Sequence, residues 1–383
     1  CTGDGDRKES DADDPLFLCC IADRYLCAGS KSCVIVEMLL QEMTWKETDT
    51  DMKYRRLTGV MVSIAFLGLL TGCAGKESTE QRYAYPLGTA SPEDTVTQIY
   101  AEKFAEEADR LSEGRIKITV YPNSVLGGDR ELLESCYDGD IPFVVQNTAP
   151  QVNFIDDTAI FDAPCVFDDI EELRDKVDQP EFLSRIQESY REAGYELLGY
   201  ADQGFRVMSS NKAVRSFSDF KGQKIRTMED PYQLSFWKKL KANPTPMSFS
   251  EVYIGLQQHT IDAQENPYEV IVSNRLYEQQ DYIIETNHVP HLISLIVSED
   301  FYKKLSEEDQ KILREAEEIA KEYAREKSDE RISEKIREIE ESGTEIITPD
   351  EETREQMKEA STPVYDQIEK VTDPELFHLY TGR

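Results

Sequence analysis

Two arginines lie inside apolar, strand-like runs of this 383-residue sequence. Arg206 occurs in GFRVMSS and Arg226 occurs in KIRTMED. An arginine in a strand usually points to solvent, but both of these residues flank loops at strand ends, where α/β sheets bind ligands. Two guanidiniums that meet one carboxylate form bidentate, charge-assisted hydrogen bonds. The two arginines are therefore candidates for binding a carboxylate.

A third candidate, Asn266, lies in the stretch IDAQENPYEVIVSN, where the chain changes direction. Gln264, Glu265 and Asn266 stand side by side immediately before a proline. Polar side chains at such a turn often only cap the next helix, and the alternative is a contribution to ligand binding. The local sequence leaves both interpretations open.

No signature of an enzyme or of a resident cofactor occurs in the sequence. The phosphate-binding GxxxxGK, the nucleophile motif GxSxG, the zinc-binding HExxH and a dinucleotide-binding fingerprint are all missing. His288 and His291 lie close together without Cys, Asp or Glu at the spacing of a metal site, so we interpret them as structural. We expect a binding protein with no catalytic residues, no cofactor and no metal.

The segment before the globular part has the pattern of a secretory signal. Residues 52–72 begin with MKYRR, continue through an apolar run and end immediately before Cys73. The final LTGC resembles the lipobox of bacterial lipoproteins, which implies cleavage before Cys73, a lipid on Cys73 and a lipidated tether over residues 73–81. An ordinary signal peptide and a membrane anchor are the alternatives.

Residues 1–51 do not have the pattern of a protein domain. The chain opens with Cys1 rather than Met, and five of its eight cysteines fall in this stretch. A zinc or disulfide module is the alternative, but the adjacent Cys19 and Cys20 are a poor ligand spacing and the stretch has no histidine. We interpret residues 1–51 as upstream nucleotide sequence translated in frame.

The chain is strongly acidic. Its formal net charge is −33, which argues against binding to nucleic acid or to an anionic lipid surface. An anionic ligand would have to be attracted by local positive charge. Beyond Cys73 only Cys136 and Cys165 remain, either paired or free.

Alternating strand-like and helix-like segments predict an α/β fold. A first helix is expected to start in SPED with Ser91 as its N-cap, and a second covers residues 129–136. The strand-like runs between such helices are typical of a parallel sheet. Ser306 and Asp309 form a capping box that opens a long helix over residues 306–342, for which a coiled coil is the alternative.

Several stretches resemble the extracytoplasmic solute receptors of TRAP transporters, the tripartite ATP-independent periplasmic type. In the second half they are GFRVMSSNKAVRSFSDFKGQKIRTME, NPTPMSFSEVYIGLQQHTIDAQENP and ETNH. In the first half, GRIKITVYPNSVLGGDRELLE and AIFDAPCVF are similar to that family's first domain. The resemblance covers residues 82–366, and its motifs are specific.

The resemblance implies roles for the three polar candidates. Arg226 falls on the family's arginine that binds the substrate carboxylate, and Arg206 falls on a second arginine upstream. Asn266 falls on the asparagine of QENP, which hydrogen-bonds the same carboxylate. We then expect Gln264 and Glu265 to support this turn through hydrogen bonds to the backbone.

The resemblance also implies cleft residues around the rest of the ligand. Phe249 falls on an aromatic position that packs against the carbon face of the ligand. Glu131 and Asn147 fall where the first domain faces the cleft. In sialic-acid-binding members the position of Asn147 is acidic, so an amide there argues against sialic acid.

The fold implied is α/β and two-lobed, of the periplasmic-binding-protein type. Two crossing hinge strands near residues 203–207 and 288–297 would join the lobes, and the long helix would span both. The expected boundaries are residues 82–203 plus 292–331 for lobe I and residues 204–291 plus 332–383 for lobe II.

The function implied is that of an extracytoplasmic, lipid-anchored receptor for a small organic acid. It would deliver the acid to the small and large membrane subunits of a TRAP transporter for ion-coupled uptake. Because Glu131 and Asn147 could pair several hydroxyls, a sugar acid such as a hexuronate or aldonate is the preferred ligand. A sensory receptor of the same fold, a C4-dicarboxylate receptor and a sialic acid receptor are the alternatives.

Overall fold

The computed structural model describes residues 84–383, which form two β-sheets covered by helices. The strands, in chain order, are β1 Tyr85–Gly88, β2 Ile118–Tyr121, β3 Phe143–Asn147, β4 Tyr195–Phe205, β5 Val207–Ser210, β6 Lys224–Thr227, β7 Asn243–Pro246, β8 Ala263–Asn266, β9 Tyr282–Ile284, β10 Pro290–Ser298 and β11 Glu345–Ile347. The residue range 1–51, the signal segment 52–72, Cys73 and the tether 73–81 lie outside the described residues.

The helices pack on the faces and edges of the two sheets. They are α1 Val96–Leu111, α2 Asp129–Asp138, α3 Ile170–Val177, α4 Pro180–Glu192, α5 Pro231–Lys239, α6 Val252–Gln257, α7 Tyr268–Ser273, α8 Glu299–Tyr302, α9 Glu307–Ser342, α10 Glu351–Ile368 and α11 Pro374–Thr381. Short 3₁₀ helices cover Ala149–Asn153, Asp156–Asp162, Phe217–Phe220, Phe249–Glu251 and Leu276–Gln279.

Each sheet organises one lobe. The first lobe is built on the sheet of order β2-β1-β3-β10-β4, and the second lobe is built on the sheet of order β11-β9-β5-β8-β6-β7. In the first sheet β1 pairs in parallel with β2 and β3, whereas β10 runs antiparallel to both β3 and β4. The sequence pattern predicts a parallel sheet, and the sheet is mixed because β10 is a strand that returns from the second lobe.

Two crossing segments connect the lobes. Strand β4 of the first sheet leads through Arg206 alone into β5 of the second sheet. The return segment leads from β9 into β10, and the backbone N–H of Arg206 donates to the carbonyl oxygen of Val289 in that segment at 2.9 Å. Phe205 and Pro290 are paired residues of β4 and β10. The two crossings therefore lie side by side, as expected for a hinge.

Helix α9 packs on both lobes. It contacts α1 and β4 of the first lobe and α7 and the 3₁₀ helix Leu276–Gln279 of the second. Ser306 caps it by accepting a hydrogen bond from the backbone N–H of Asp309 at 3.0 Å, which confirms the predicted start. Buried alanines on one face of α9, such as Ala316 and Ala320, allow α1 to approach closely. The helix thus packs on its own domain through small residues.

Two predictions about local structure are answered by the described residues. The first helix begins at Val96 rather than after Ser91, because the Thr95 side chain accepts from the backbone N–H of Gln98 and caps the helix there. Cys136 and Cys165 are both free, so they do not pair. The lobe boundaries stay predictions: the last helix, α11, packs on α4 and on the 3₁₀ helix 156–162 of the first lobe.

Candidate functional site

Two adjoining cavities lie between the lobes. Both are lined by Asp129 from the first lobe and by Arg226, Met228 and Phe249 from the second. Cavity 1 is completed by Arg130, Glu131, Pro150, Asn153, Glu229, Met247 and Ser248. Cavity 2 is completed by Ala90, Ser91, Pro92, Asn147, Asn266, Val270 and His291. The predicted residues Arg226, Phe249, Asn266, Asn147 and Glu131 thus all reach one interlobe cleft.

Arg226 lies on β6 with its guanidinium buried at the wall of both cavities. Its side chain is 2% exposed, and Nε and Nη2 both donate to the carbonyl oxygen of Met247, at 2.9 and 2.6 Å. Nη1 is buried and has no hydrogen-bond partner among the described residues. Burial, together with the nearby charge of Arg206, lowers the pKa of Arg226 to about 10, so the group remains a cation at neutral pH. A buried cation with an unused donor is suited to an anion supplied by a ligand.

Phe249 provides an apolar surface beside this donor. Its ring centroid lies 6.0 Å from the guanidinium carbon of Arg226, and its side chain contributes to the wall of both cavities. It opens the 3₁₀ helix Phe249–Glu251, which follows β7. The ring is placed to contact the carbon chain of a molecule whose carboxylate meets Arg226.

The positive charge of Arg206 is neutralised by a carboxylate of the protein itself. Its guanidinium, 1% exposed, forms an ion pair with Glu265, and Nη2 donates to Glu265 Oε1 at 2.7 Å and to Asn266 Oδ1 at 3.1 Å. Nη1 contacts His291 Nδ1, and His288 Nε2 lies 3.2 Å from Glu265 Oε2. The guanidinium of Arg206 thus has its partners within the protein, unlike that of Arg226, and its predicted contact with a ligand stays a prediction.

The pKa values of Glu265, His288 and His291 determine which groups around Arg206 are charged. Burial would raise the pKa of Glu265, but the charge of Arg206 and hydrogen bonds from His288 and Arg206 outweigh it and lower that pKa to about 2. Burial lowers the pKa of His288, and burial with the charge of Arg206 lowers the pKa of His291 well below its usual value. Both histidines are therefore neutral, and the charged groups that remain are Arg206 and Glu265, which form one ion pair.

The polar turn before Pro267 is organised by side chains. Asn266 Nδ2 donates to Gln264 Oε1 at 2.6 Å, and Gln264 Nε2 donates to Ser209 Oγ at 2.7 Å. The expectation that Gln264 and Glu265 use backbone partners is wrong, because each reaches a side chain on the neighbouring strand or crossing segment. Helix α7 starts after Pro267 without a side-chain cap, so capping does not explain these residues.

The two first-lobe candidates are Asn147, whose side chain is held by hydrogen bonds, and Glu131, whose side chain is exposed. Asn147 Nδ2 donates to the carbonyl oxygen of Leu292 at 2.9 Å, and its Oδ1 accepts from the backbone N–H of Ala149 at 3.0 Å. This fixes the orientation of the amide at the wall of cavity 2. Glu131 is exposed on α2 at the edge of cavity 1.

Asp129 is the cleft residue that the sequence analysis missed. It is the first residue of α2 and lines both cavities opposite Arg226. Burial raises its pKa to about 6, although the charge of Arg226 opposes this shift. An acid in the first turn of a helix is ordinary, so the sequence LGGDRE gave it no more weight than Glu131. Within residues 84–383 no three Cys, His, Asp or Glu side chains cluster as metal ligands.

Comparisons with known proteins place this geometry in a family. A family model described as "Bacterial extracellular solute-binding protein, family 7" matches residues 87–371. A solute-binding protein of Verminephrobacter eiseniae (strain EF01-2) is 32% identical over 276 residues, which cover 71% of this chain and 81% of the relative.

Solved structures show the same fold. A TRAP periplasmic solute-binding protein from Polaromonas sp. JS666, bound to D-erythronate, has a TM-score of 0.74 at 30% identity and covers 78% of this chain and 98% of its own. A sugar acid binding protein from Advenella mimigardefordensis, in complex with galactonate, has a TM-score of 0.76 at 25% identity, with 79% and 98% covered. Among the residues described here, no helix is both long and apolar enough to cross a membrane. The chain belongs to family 7 of the bacterial extracellular solute-binding proteins, and it is a two-lobed solute receptor of the TRAP type rather than an enzyme.

Proposed function

We propose that this receptor binds a sugar acid, such as an aldonate or hexuronate, by its carboxylate in the cleft between the lobes. It then delivers the acid to the small and large membrane subunits of a TRAP transporter for ion-coupled uptake. The observation that carries the proposal is the buried Nη1 of Arg226, which has no hydrogen-bond partner in the described part of the chain. A ligand carboxylate supplies the missing acceptor and the missing negative charge.

The energetics favour an anion despite the acidic surface. A hydrogen bond to a charged group contributes roughly 1.5–3 kcal/mol. The surface charge acts from a distance and is screened by salt within about 8 Å. Arg226 is 2% exposed, so its attraction for a carboxylate in the cleft is screened far less. Local positive charge can therefore outweigh the diffuse repulsion.

The remaining site residues have distinct proposed roles. Arg206 acts as a positioning residue: through its bond to Asn266 Oδ1 it holds the amide of Asn266 at the wall of cavity 2. Asn266 hydrogen-bonds the ligand carboxylate, and Phe249 packs on the carbon chain. Asn147 is held by two backbone groups and offers its remaining hydrogen-bonding capacity to ligand hydroxyls.

A sugar acid fits this cleft better than a purely apolar acid. The walls carry several polar side chains besides the carboxylate site, including Ser91, Asn153 and Glu131. The two solved relatives described above hold D-erythronate and galactonate. Both of these ligands combine one carboxylate with several hydroxyls.

The experiment is a thermal shift assay with D-erythronate, galactonate, galacturonate, sialic acid and succinate. A ligand at about 100 times its Kd should stabilise the protein by roughly 2.7 kcal/mol. The variant Arg226→Met should lose this shift while unfolding at a temperature no lower than the unliganded wild type, because it removes an uncompensated buried charge.

Arg215→Ala is the matched control, since Arg215 is exposed, pairs with Glu345 on the surface and lines neither cavity. It should keep the full shift. A shift that survives in Arg226→Met would contradict the proposal.

We also propose that Cys73 carries a lipid anchor that holds the receptor at the outer face of the cell membrane or in the periplasm. This rests on the sequence MKYRR, the apolar run and LTGC of residues 52–73. Cys73 lies outside the described residues, so its support is the sequence pattern alone.

A further inference from the structure

We propose that Asp129 selects hydroxylated monocarboxylates over C4-dicarboxylates by accepting a hydrogen bond from a ligand hydroxyl. The inference rests on the proposed function, because it takes Arg226 as the group that binds the ligand carboxylate. It assigns the opposite wall of the same cleft to a second, chemically different part of the ligand.

The position of Asp129 is the first support. It belongs to the first lobe, whereas Arg226 belongs to the second, and both side chains line both cavities. Their side chains form neither a hydrogen bond nor an ion pair with each other. The space between them is therefore bounded by a cation on one side and a carboxyl group on the other.

The second support is that the Asp129 carboxyl group has no partner. No hydrogen bond or ion pair links it to any of residues 84–383, whereas Glu229, at the wall of cavity 1, accepts from Arg130 Nε at 3.1 Å. Arg226, Arg206, Glu131 and Glu229 are the charged groups that influence it, and burial with the two acids outweighs the two arginines to give a pKa of about 6. Asp129 is thus mostly ionised at pH 7.5.

The chemistry of an ionised carboxylate sets the selectivity. Its oxygens only accept hydrogen bonds, so a ligand hydroxyl is a suitable partner. A second ligand carboxylate at the same place would be repelled, because both groups are anions. Hydroxyl donors are therefore favoured over a second acid. Since Asp129 gains a proton below pH 6, its discrimination against dicarboxylates should weaken there.

The test is isothermal titration of the purified protein with D-erythronate and with succinate at pH 7.5. These two probes have the same number of carbons and differ in hydroxyls and in the second carboxylate. Wild type should bind D-erythronate more tightly. Asp129→Asn should bind D-erythronate about tenfold more weakly, because a neutral amide accepts less strongly than a carboxylate. Succinate binding should be unchanged or tighter in that variant.

Two further variants separate the possible outcomes. Asp138→Asn makes the same substitution on α2 at an exposed position away from both cavities and should bind both probes like wild type. Equal weakening of both probes in Asp129→Asn, or no change in either, would overturn the role of Asp129 while leaving carboxylate binding by Arg226 intact. Unchanged binding of both probes by Arg226→Met would instead overturn the proposed function and this inference with it.

Discussion

Replacing Asp162 by asparagine should remove much of the pH dependence of folding stability. Asp162 ends the 3₁₀ helix Asp156–Asp162 of the first lobe, and its carboxyl group adjoins that of Asp230, the N-cap of α5 in the second lobe. Asp230 Oδ1 accepts from the backbone N–H of Tyr232 and of Gln233, and Gln233 Nε2 donates to Asp162 Oδ1 at 2.9 Å. The Oδ2 atom of each carboxyl group is buried without a partner, so one shared proton completes the pair.

The magnitude follows from the pKa of Asp162. Burial raises that pKa from 3.8 to about 6, and burial with the charge of Asp162 raises the pKa of Asp230 well above its usual value. A shift of about 2 units corresponds to roughly 3 kcal/mol. The folded protein keeps a proton that the unfolded chain has released, so the free energy of unfolding falls as pH rises from about 4 to about 6. Above pH 6 the roughly 3 kcal/mol that Asp162 contributes is lost in full, and the raised pKa of Asp230 extends the fall in stability to higher pH.

An asparagine at position 162 keeps the geometry without the proton. Its Oδ1 still accepts from Gln233, and its Nδ2 donates to Asp230 in place of the shared proton. Urea unfolding followed by circular dichroism between pH 4 and pH 8 measures the effect. The variant should be more stable than wild type by up to roughly 3 kcal/mol at pH 8 and similar to it at pH 4.

The control is Asp156→Asn, because Asp156 is exposed on the same 3₁₀ helix. Its stability curve should follow that of wild type. A curve for Asp162→Asn that runs parallel to wild type over the whole pH range would refute the shared proton.

Two further predictions concern the anchor and the packing of α9. Cys73→Ser should release the receptor from the membrane fraction of cells into the soluble fraction, whereas Cys136→Ser should not, and retention of the Cys73 variant would contradict the lipid anchor. Gly199→Ala should lower stability by about 1–3 kcal/mol in urea unfolding, because a Cβ there would overlap the buried Glu317 carboxylate, which the Tyr100 hydroxyl holds at 2.6 Å. Unchanged stability would show that Glu317 can move aside.

Elements with strong local signals could be predicted from the sequence. The N-cap at Ser306 sets the start of α9, because its hydrogen bond with the backbone N–H of Asp309 acts within a single turn and needs no distant partner. The start of α1 was misplaced since Ser91 and Thr95 are both acceptable caps, and tertiary contacts decide between them. Ser91 lines cavity 2, and Asp94 pairs with Arg331 and Lys335 of α9 instead of stabilising a first turn.

Long-range pairing limited the prediction of the site. Asp129 lies two sequence positions before the predicted cleft residue Glu131, but its position opposite Arg226 depends on how the two lobes meet. Glu265 is 59 residues from Arg206, and no local pattern shows that a carboxylate will be buried against that arginine. The types of residue could therefore be predicted, whereas their partners could not.

Arg206 and Arg226 show why the partner determines the role. Both are buried arginines near the ends of second-lobe strands, and their sequence contexts predict the same role for both. Arg206 forms an ion pair with Glu265, and its backbone N–H donates to Val289 of the return crossing, so its charge is neutralised within the protein. Two nitrogens of Arg226 donate to the one carbonyl oxygen of Met247, and no buried anion is bonded to the third. A binding protein needs one cation, here Arg226, whose counter-ion is a ligand that can leave. It needs a second cation, here Arg206, that holds the hinge and Asn266 in place when the ligand leaves.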